Sequence, residues 1–158
     1  MPDIELESTL GYPLPLVAHA DLVMYLYPGA SGIIRGDDTP MVDAAQHRGF
    51  RGQEEAFREC GFTVVGLSSQ SIHRQRDIAH RHKLSHALVS DPNFYLADAL
   101  GLRTLRLEAK RVYERRTLVI SAGRTRLALL PLPTPESHPA YLVELLRRHL
   151  EDNQRAST

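Results

Sequence analysis

The stretch DLVMYLYPGASGIIRGDDT, residues 21–39, decides how the rest of this chain is interpreted. Its first part, residues 22–27, contains almost no polar side chain, which is typical of a strand buried on both faces of a central sheet. Pro28 ends that strand because proline cannot donate a hydrogen bond to a neighbouring strand. Loops at the carboxyl ends of buried strands carry ligand sites in α/β domains, so the glycine-rich, charged remainder of the stretch is predicted to hold the functional site.

Composition limits the class of protein. The 158 residues fit one domain, which we place at residues 1–150, followed by a flexible polar tail at 151–158. Nineteen basic and nineteen acidic side chains give no net charge, so neither nucleic acid nor an acidic membrane surface is expected as a partner. No apolar run approaches the roughly 20 residues that span a bilayer, and the amino terminus lacks a signal pattern. A cytoplasmic protein is therefore expected.

Strand-like and helix-like segments alternate along the chain after a short hairpin or extended arm at residues 1–20. The predicted helices are residues 40–60, 71–83, 93–100 and 139–150, and the predicted strands are residues 62–67, 87–89, 103–112, 116–120 and 125–130. Gly49 and Gly52 weaken the first helix, which leaves its start open between Pro40 and Phe50. A βαβαβ core followed by antiparallel strands and a final helix predicts an α/β, thioredoxin-like fold with a central mixed sheet flanked by helices.

Six short motifs occur in the order and spacing of a known family. They are YLYP at 25–28, FR at 50–51, VVGLSSQ at 64–70, LVSDP at 88–92, ALGL at 99–102 and RRTLVI at 115–120. On these motifs, residues 22–130 resemble the peroxiredoxins, specifically the bacterioferritin-comigratory type of the alkyl hydroperoxide reductase and thiol-specific antioxidant superfamily. The resemblance implies a redoxin scaffold of the antioxidant oxidoreductase class.

The resemblance also implies a site at the start of the first helix. In this family a peroxidatic cysteine lies in the first turn of that helix, beside a proline, a threonine and an arginine from a later strand. The helix amino terminus and the guanidinium favour the thiolate, which attacks the peroxide oxygen. Pro28, Thr39 and Arg115 match the three accompanying positions.

The family's cysteine is absent from this chain. Depending on how the motif is aligned, its place is taken by Val42, by Asp38 or, counting back from the FR motif, by Asp43. None of these side chains has redox chemistry, so the resemblance does not carry peroxidase activity with it. The loop between Pro28 and Thr39 is also longer than in the basic family pattern.

Cys60 is the only cysteine of the chain. A single thiol excludes an intramolecular disulfide, a zinc site built on several thiolates and two-cysteine redox chemistry within one chain. Cys60 is expected at the far end of the first helix, about 20 Å or more from the family's site. The negative end of the helix dipole disfavours a thiolate there, so a packed structural thiol is the preferred interpretation.

Several charged residues lie near the expected helix start. Asp37, Asp38 and Asp43 are interpreted first as helix caps, with metal binding or acid–base chemistry as the alternative. Arg35 could hold an anion over its glycine-rich loop, but no phosphate-loop spacing accompanies it and a mobile loop is preferred.

Four histidines resemble a metal-binding set at first sight. None of them forms an i, i+4 pair within one secure helix, so surface or core positions are preferred and no metal or cofactor is expected. The four are His73, His80, His82 and His86.

Two functions follow from these residues, with a third behind them. The first is a thiol-free pseudoenzyme, a binding or regulatory module that takes a small-molecule or anionic ligand in the former peroxide pocket. The second is an enzyme that uses Asp38 or Asp43 as a general base and Arg115 to stabilise a developing anion. The third is a peroxidase that acts through Cys60 with an external thiol reductant.

From the resemblance alone, a homodimer is expected. The residues assigned to the site fall into two groups. Catalytic or anchoring roles go to Thr39, Arg115, Asp38 and Asp43. The residues expected to line the pocket are Pro28, Arg35, Asp37 and Val42.

Overall fold

A five-stranded sheet forms the centre of the protein. The computed structural model describes residues 4–15, 21–34, 36–107 and 109–157. Its strands are β1 (Glu5–Leu6), β2 (Leu14–Pro15), β3 (Asp21–Leu26), β4 (Ile33–Ile34), β5 (Asp37–Asp38), β6 (Phe62–Ser68), β7 (Ala87–Ser90), β8 (Thr104–Leu107), β9 (Lys110–Tyr113), β10 (Arg116–Ser121) and β11 (Arg124–Leu129). The central sheet has the order β11-β10-β3-β6-β7, while β1 pairs with β2, β4 with β5 and β8 with β9.

The predicted strand at the start of the opening stretch is the middle strand of the sheet. β3 runs parallel to β6 and antiparallel to β10, so the sheet is mixed, as predicted. Within this pairing Tyr25 lies opposite Gly66. A Cβ atom at Gly66 would lie 2.7 Å from the ring of Tyr25, so the glycine makes room for this buried ring.

Helices cover both faces of the sheet. They are α1 (Thr39–Glu59), α2 (Ile72–Arg81), α3 (Tyr95–Leu100) and α4 (His138–Ala156). Successive residues of β3 point to opposite faces: Val23 and Tyr25 belong to the core beneath α1 and α4, and Met24 and Leu26 to the core beneath α3. Burial on both sides explains the nearly continuous apolar sequence of this strand. No helix in the described part of the chain is long and apolar enough to cross a membrane.

Helix α1 begins at Thr39, so the later start near Phe50 is wrong. The glycine at position 49 does not interrupt the helix but serves its packing. A Cβ atom there would lie 2.5 Å from the carbonyl oxygen of Glu136, which precedes α4. Gly52 has open space around it. Close approach between α1 and the start of α4 therefore accounts for one of the two glycines that made the helix start ambiguous.

The single strand predicted for residues 103–112 is wrong in detail. This segment divides into β8 and β9, which pair with each other as an antiparallel hairpin outside the central sheet. The chain reverses at Ala109, whose φ of 68° is left-handed, and neither sequence alternation nor composition marks this turn. The hairpin matters for function because β9 reaches the cavity described below.

Both ends of the chain add structure to the sheet domain. The pairing of β1 with β2 agrees with the expected amino-terminal hairpin, although residues 1–3 and 16–20 lie outside the described part. At the other end, α4 continues to Ala156 rather than ending at residue 150. No proline or glycine follows residue 150, so nothing in the sequence stops the helix there.

Candidate functional site

The first turn of α1 follows the predicted site loop directly. Asp38 is the N-cap of the helix, and its exposed carboxylate accepts a hydrogen bond from the backbone N–H of Met41 at 3.2 Å. Pro40 occupies the first turn, where its missing N–H costs nothing. Asp38 therefore has the capping role preferred for it, and this carboxylate does not contact Arg115 through any bond among the described residues.

Asp43 and Arg115 form a buried ion pair one turn further along α1. Asp43 Oδ1 lies 2.6 Å from Arg115 Nη1, and the side chains are 11% and 12% exposed. The backbone N–H of Gly29 donates to Asp43 Oδ2 at 3.2 Å. Arg115 Nη1 also donates to Gln46 Oε1 at 2.8 Å, and its Nη2 to the carbonyl oxygen of Thr39 at 3.3 Å. Among the three positions left open for the missing cysteine, the structure thus brings Asp43 to the arginine.

Burial dominates the electrostatics of Asp43. Loss of solvent raises the pKa of this carboxyl from 3.8 to about 6, although the neighbouring Arg115 and the Gly29 N–H both act to lower it. The site therefore holds a carboxyl group that changes its protonation close to neutral pH, which is the range required of a general base or acid.

Thr39 contributes to the site mainly through its backbone. Its carbonyl oxygen accepts from Arg115, and its N–H donates to the carbonyl oxygen of Gly32 at 3.0 Å. The hydroxyl is buried and has no hydrogen-bond partner among the described residues. The expected proximity of threonine and arginine is therefore present, but it runs through the main chain.

The four residues expected to line the pocket have different positions. Pro28 is buried at the end of β3, and Val42 is half-buried on α1. Neither is among the described residues around the cavity. For Val42 the reason is its position on α1, about 100° around the helix from the adjacent Asp43. Asp37 lies in β5, but its side chain and the whole of Arg35 are outside the described part of the structure.

A cavity of about 560 Å³ opens beside Asp43. Its wall is formed by the loop after β3, the first turns of α1, the start and outer face of α2, and the end of the β8–β9 hairpin. Thr39 and Arg115 are not among the described residues that line it. Asp43 contacts both the cavity and Arg115, so the arginine acts on the cavity through the carboxylate. The polar and charged lining residues are Ser31, Asp43, His47, Ser69, Gln70, Ser71, Arg74, Arg81, His82, Lys110 and Arg111.

A chain of buried polar side chains leads from this cavity into the protein. The Tyr25 hydroxyl lies 2.8 Å from His47 Nδ1 and 2.7 Å from His86 Nε2. On the far side, His86 Nδ1 lies 3.9 Å from Glu54 Oε2. The sequence analysis missed this arrangement because it left out His47 when it compared the spacing of the histidines. The available signal was the position of His47 four residues after Asp43, on the same face of α1.

Burial keeps these groups uncharged near neutral pH. It lowers the pKa of His47 to about 3 and that of His86 to about 4. It also raises the pKa of Tyr25 well above its ordinary value. A neutral imidazole has one donor and one acceptor nitrogen, so His47 and His86 each present one N–H and one lone pair.

Cys60 lies at the opposite end of α1. It is the C-cap residue, is 9% exposed, and packs in the core beneath α1 and α4. It follows Asp43 by seventeen residues, which corresponds to roughly 25 Å along a helix. The thiol is therefore remote from the guanidinium of Arg115.

The histidines singled out from the sequence have separate environments. His73 and His80 are exposed on α2, His82 borders the cavity, and His86 is buried against Tyr25. Within the described ranges, no group of three histidine, cysteine or acidic side chains is arranged to hold a metal ion.

Comparison with known proteins places the chain in a family. The AhpC/TSA family matches residues 1–125 of the chain. In fold, the chain is similar to peroxidoxin BcpB from Mycobacterium tuberculosis, with 22% identity, a TM-score of 0.74 and 93% of each chain covered. It is similar to peroxiredoxin Q from Xanthomonas campestris, with 23% identity, a TM-score of 0.75, and 93% of this chain and 91% of that chain covered.

A third similar structure is a cysteine-to-serine mutant of PrxQ from Xylella fastidiosa, with 22% identity and a TM-score of 0.77. The match covers 94% of this chain and 90% of the PrxQ chain. These likenesses confirm the predicted thioredoxin-like fold. No curated protein matches the chain.

Proposed function

The chain belongs to the AhpC/TSA family, and on this premise we propose that it binds a small ligand in the cavity beside Asp43 and does not reduce peroxides. The observation that carries the proposal is the 2.6 Å ion pair between Asp43 and Arg115. A carboxylate stands where the resemblance calls for a thiolate facing the guanidinium. The resulting pocket presents an anion to the guanidinium but lacks a sulfur nucleophile.

The chemistry of the two groups explains why this substitution removes peroxidase activity. A thiolate attacks a peroxide oxygen and becomes a sulfenic acid, which a reductant returns to the thiol. A carboxylate has no oxidation step of this kind. Cys60 is a poor substitute because its thiol is buried at the negative end of the α1 dipole, away from Arg115.

Peroxide consumption with dithiothreitol as reductant tests the proposal. Wild type and Cys60→Ser are expected to consume hydrogen peroxide or an organic hydroperoxide no faster than protein-free buffer. Turnover in wild type that is lost in Cys60→Ser would overturn the proposal. This outcome would favour the peroxidase alternative with an external thiol reductant.

A gain-of-function pair sharpens this test. Asp43→Cys, made in the Cys60→Ser background, places a thiol next to Arg115, and Asp38→Cys places one at the exposed cap. One equivalent of peroxide is expected to add an oxygen atom rapidly to the first thiol only, as followed by mass spectrometry. Equal reactivity of both thiols would show that the pocket around Asp43 no longer activates a nucleophile.

A second candidate function is acid–base catalysis by Asp43. The observation in its favour is the pKa of about 6, set by burial at the cavity wall. Hydrolysis of an activated ester such as p-nitrophenyl acetate should then increase through about pH 6 as Asp43 loses its proton, and Asp43→Asn should abolish that increase. An identical pH profile for both proteins would remove this candidate.

A further inference from the structure

Basic side chains surround the open part of the cavity. Arg74 and Arg81 come from α2, and Lys110 and Arg111 come from β9. Asp43 is the only carboxylate among the described lining residues, and it is already paired with Arg115. The cavity is therefore cationic in a protein whose overall formal charge is zero.

Three of these four cations have no acidic partner within the described ranges of the chain. Arg111 Nη2 lies 3.1 Å from Asp98 Oδ1, and its guanidinium stacks 4.3 Å over the ring of Phe94. No carboxylate described in the structure lies within ion-pair distance of Arg74, Arg81 or Lys110. These side chains can therefore pair with the charge of a ligand without first giving up a protein partner.

The start of α2 adds to the same wall. Ser69, Gln70 and Ser71 line the cavity, and Ser71 is the N-cap of this ten-residue helix. The positive end of the helix dipole therefore lies beside Arg74. A phosphate group, with two charges and several acceptor oxygens, matches several cations and a helix amino terminus better than a single carboxylate does.

The inner end of the cavity presents a polar atom that needs a partner. His47 is 1% exposed and lines the cavity, and its Nε2 has no hydrogen-bond partner among the described residues. Its other nitrogen, Nδ1, is occupied by the Tyr25 hydroxyl. A buried nitrogen without a partner is costly, and a ligand group at this end of the cavity can satisfy it.

The buried chain of side chains decides what Nε2 offers. The carboxylate of Glu54 lies 3.9 Å from His86 Nδ1, which is beyond hydrogen-bond distance, and its negative charge favours the tautomer that carries the proton on that nitrogen. His86 Nε2 then accepts from the Tyr25 hydroxyl, whose oxygen accepts from His47 Nδ1–H. This leaves a lone pair on His47 Nε2. The cavity thus has a hydrogen-bond acceptor at its inner end and cations around its opening.

We propose that the cavity binds a phosphate monoester that also carries a hydroxyl group, with the phosphate against Arg74, Arg81 and Lys110 and the hydroxyl donating to His47 Nε2. The inference rests on the proposed function, because it assigns a ligand class to the same cavity. Its volume of about 560 Å³ is within the range of small-molecule sites.

Isothermal titration calorimetry with three probes tests the two halves of this inference. Glycerol 3-phosphate has both groups, n-propyl phosphate lacks the hydroxyls, and glycerol lacks the phosphate. We expect glycerol 3-phosphate to bind about tenfold more tightly than n-propyl phosphate, which is the effect of one additional hydrogen bond. Glycerol should not bind. Equal affinity for the two esters would overturn the assignment of the hydroxyl, and no binding of either would overturn the whole inference.

Surface substitutions test the phosphate contacts without disturbing the core. Arg74→Gln combined with Arg81→Gln is expected to weaken both esters at least tenfold. Arg76→Gln, an exposed arginine of the same helix outside the cavity lining, should leave both affinities unchanged. Equal losses in the double variant and in Arg76→Gln would reduce the effect to general charge and contradict the proposed position of the phosphate.

The tautomer argument has its own variants. Tyr25→Phe removes the hydroxyl that fixes His47, and Glu54→Gln removes the charge that orients the chain from its outer end. Both should reduce the tenfold preference for glycerol 3-phosphate toward equality while n-propyl phosphate binds as before. Glu55→Gln is the control, because Glu55 is next to Glu54 in sequence but is exposed and does not contact the buried histidines and tyrosine. A preference that survives in a folded Glu54→Gln protein would overturn the relay.

The two proposals fail in different assays. Peroxide turnover by the wild type would overturn the proposed function. Absence of phosphate ester binding in a protein that does not consume peroxide would overturn only the ligand class.

Discussion

Asp43→Asn removes the buried charge that faces Arg115 and keeps the shape of the side chain. Burial raises the pKa of Asp43 from 3.8 to about 6, so the folded protein disfavours the ionised form relative to the unfolded chain. One pH unit corresponds to about 1.4 kcal/mol, and the charge therefore costs the fold about 3 kcal/mol above pH 6. We expect the variant to be about 1–3 kcal/mol more stable at pH 7.5, because an amide replaces the carboxylate's bond to Gly29 only in part.

The competing expectation has the opposite sign. If the attraction between the two charges outweighs their burial, breaking the pair costs about 3–5 kcal/mol because Arg115 is left without a counter-charge. The hydrogen bonds from Arg115 to Gln46 and to the backbone of Thr39 argue against that outcome, since they remain in the variant.

The pH dependence separates these expectations. Folded Asp43 keeps its proton up to about pH 6, whereas the unfolded chain loses it near pH 3.8. The stabilisation from holding this proton is complete below about pH 4 and is lost as the pH rises through 6. The advantage of the variant should therefore be near zero at pH 4 and complete above pH 7.

Urea unfolding between pH 4 and 8 measures this difference. Far-ultraviolet circular dichroism is the suitable signal because the chain has no tryptophan. Asp38→Asn is the matched control: asparagine also caps helices, so little change is expected at any pH. A variant at position 43 that is less stable than wild type by the same amount at pH 4 and pH 8 would refute the reasoning.

Two further predictions concern the packing of α1 and the buried histidines. Gly49→Ala should lower the free energy of unfolding by about 2–3 kcal/mol, because its Cβ would lie 2.5 Å from the carbonyl oxygen of Glu136. Gly52→Ala, with open space around it, should instead raise the free energy of unfolding by about 0.5–1 kcal/mol. Similar effects at both positions in thermal unfolding would contradict the packing argument. Burial lowers the pKa values of His47 and His86 to about 3 and about 4, so their stabilisation is present above pH 6.5 and is lost as the pH falls, by about 1.4 kcal/mol per pH unit for each histidine. As the pH falls from 6 to 4, Asp43→Asn should lose stability more steeply than wild type, because it lacks the carboxyl whose protonation opposes this loss. Equal slopes of unfolding free energy against pH in the two proteins would contradict this prediction.

Features that depend on local sequence could be predicted. The apolar run of β3 indicated a strand buried on both faces, because neither face could tolerate a polar side chain. The proline after it and the motif at residues 115–120 indicated where the site would lie. Among the candidate positions, Asp43 was reached by counting back from Phe50, whose place on the buried face of α1 fixes the register of the helix.

Features that depend on contacts between distant segments could not be predicted. The close approach that requires Gly49 is set by Glu136, which is far along the chain. The link between His47 and His86 passes through Tyr25, a residue that the sequence presents only as part of an apolar strand. A hydroxyl within such a strand gives no sign of its partners until the strand order brings them together.

On the proposed function, a carboxylate at position 43 faces Arg115 where the resemblance implies a thiolate. Both groups are monoanions when ionised, so either can compensate the charge of a buried guanidinium. The compensation has a consequence for ligands, because an anion can approach Arg115 only if Asp43 gives up its charge. The proposed ligand phosphate therefore pairs with Arg74, Arg81 and Lys110 on the outer wall, which have no acidic partner among the described residues. In the proposed complex, the anion-binding part of the cavity is thus separate from the arginine that Asp43 neutralises.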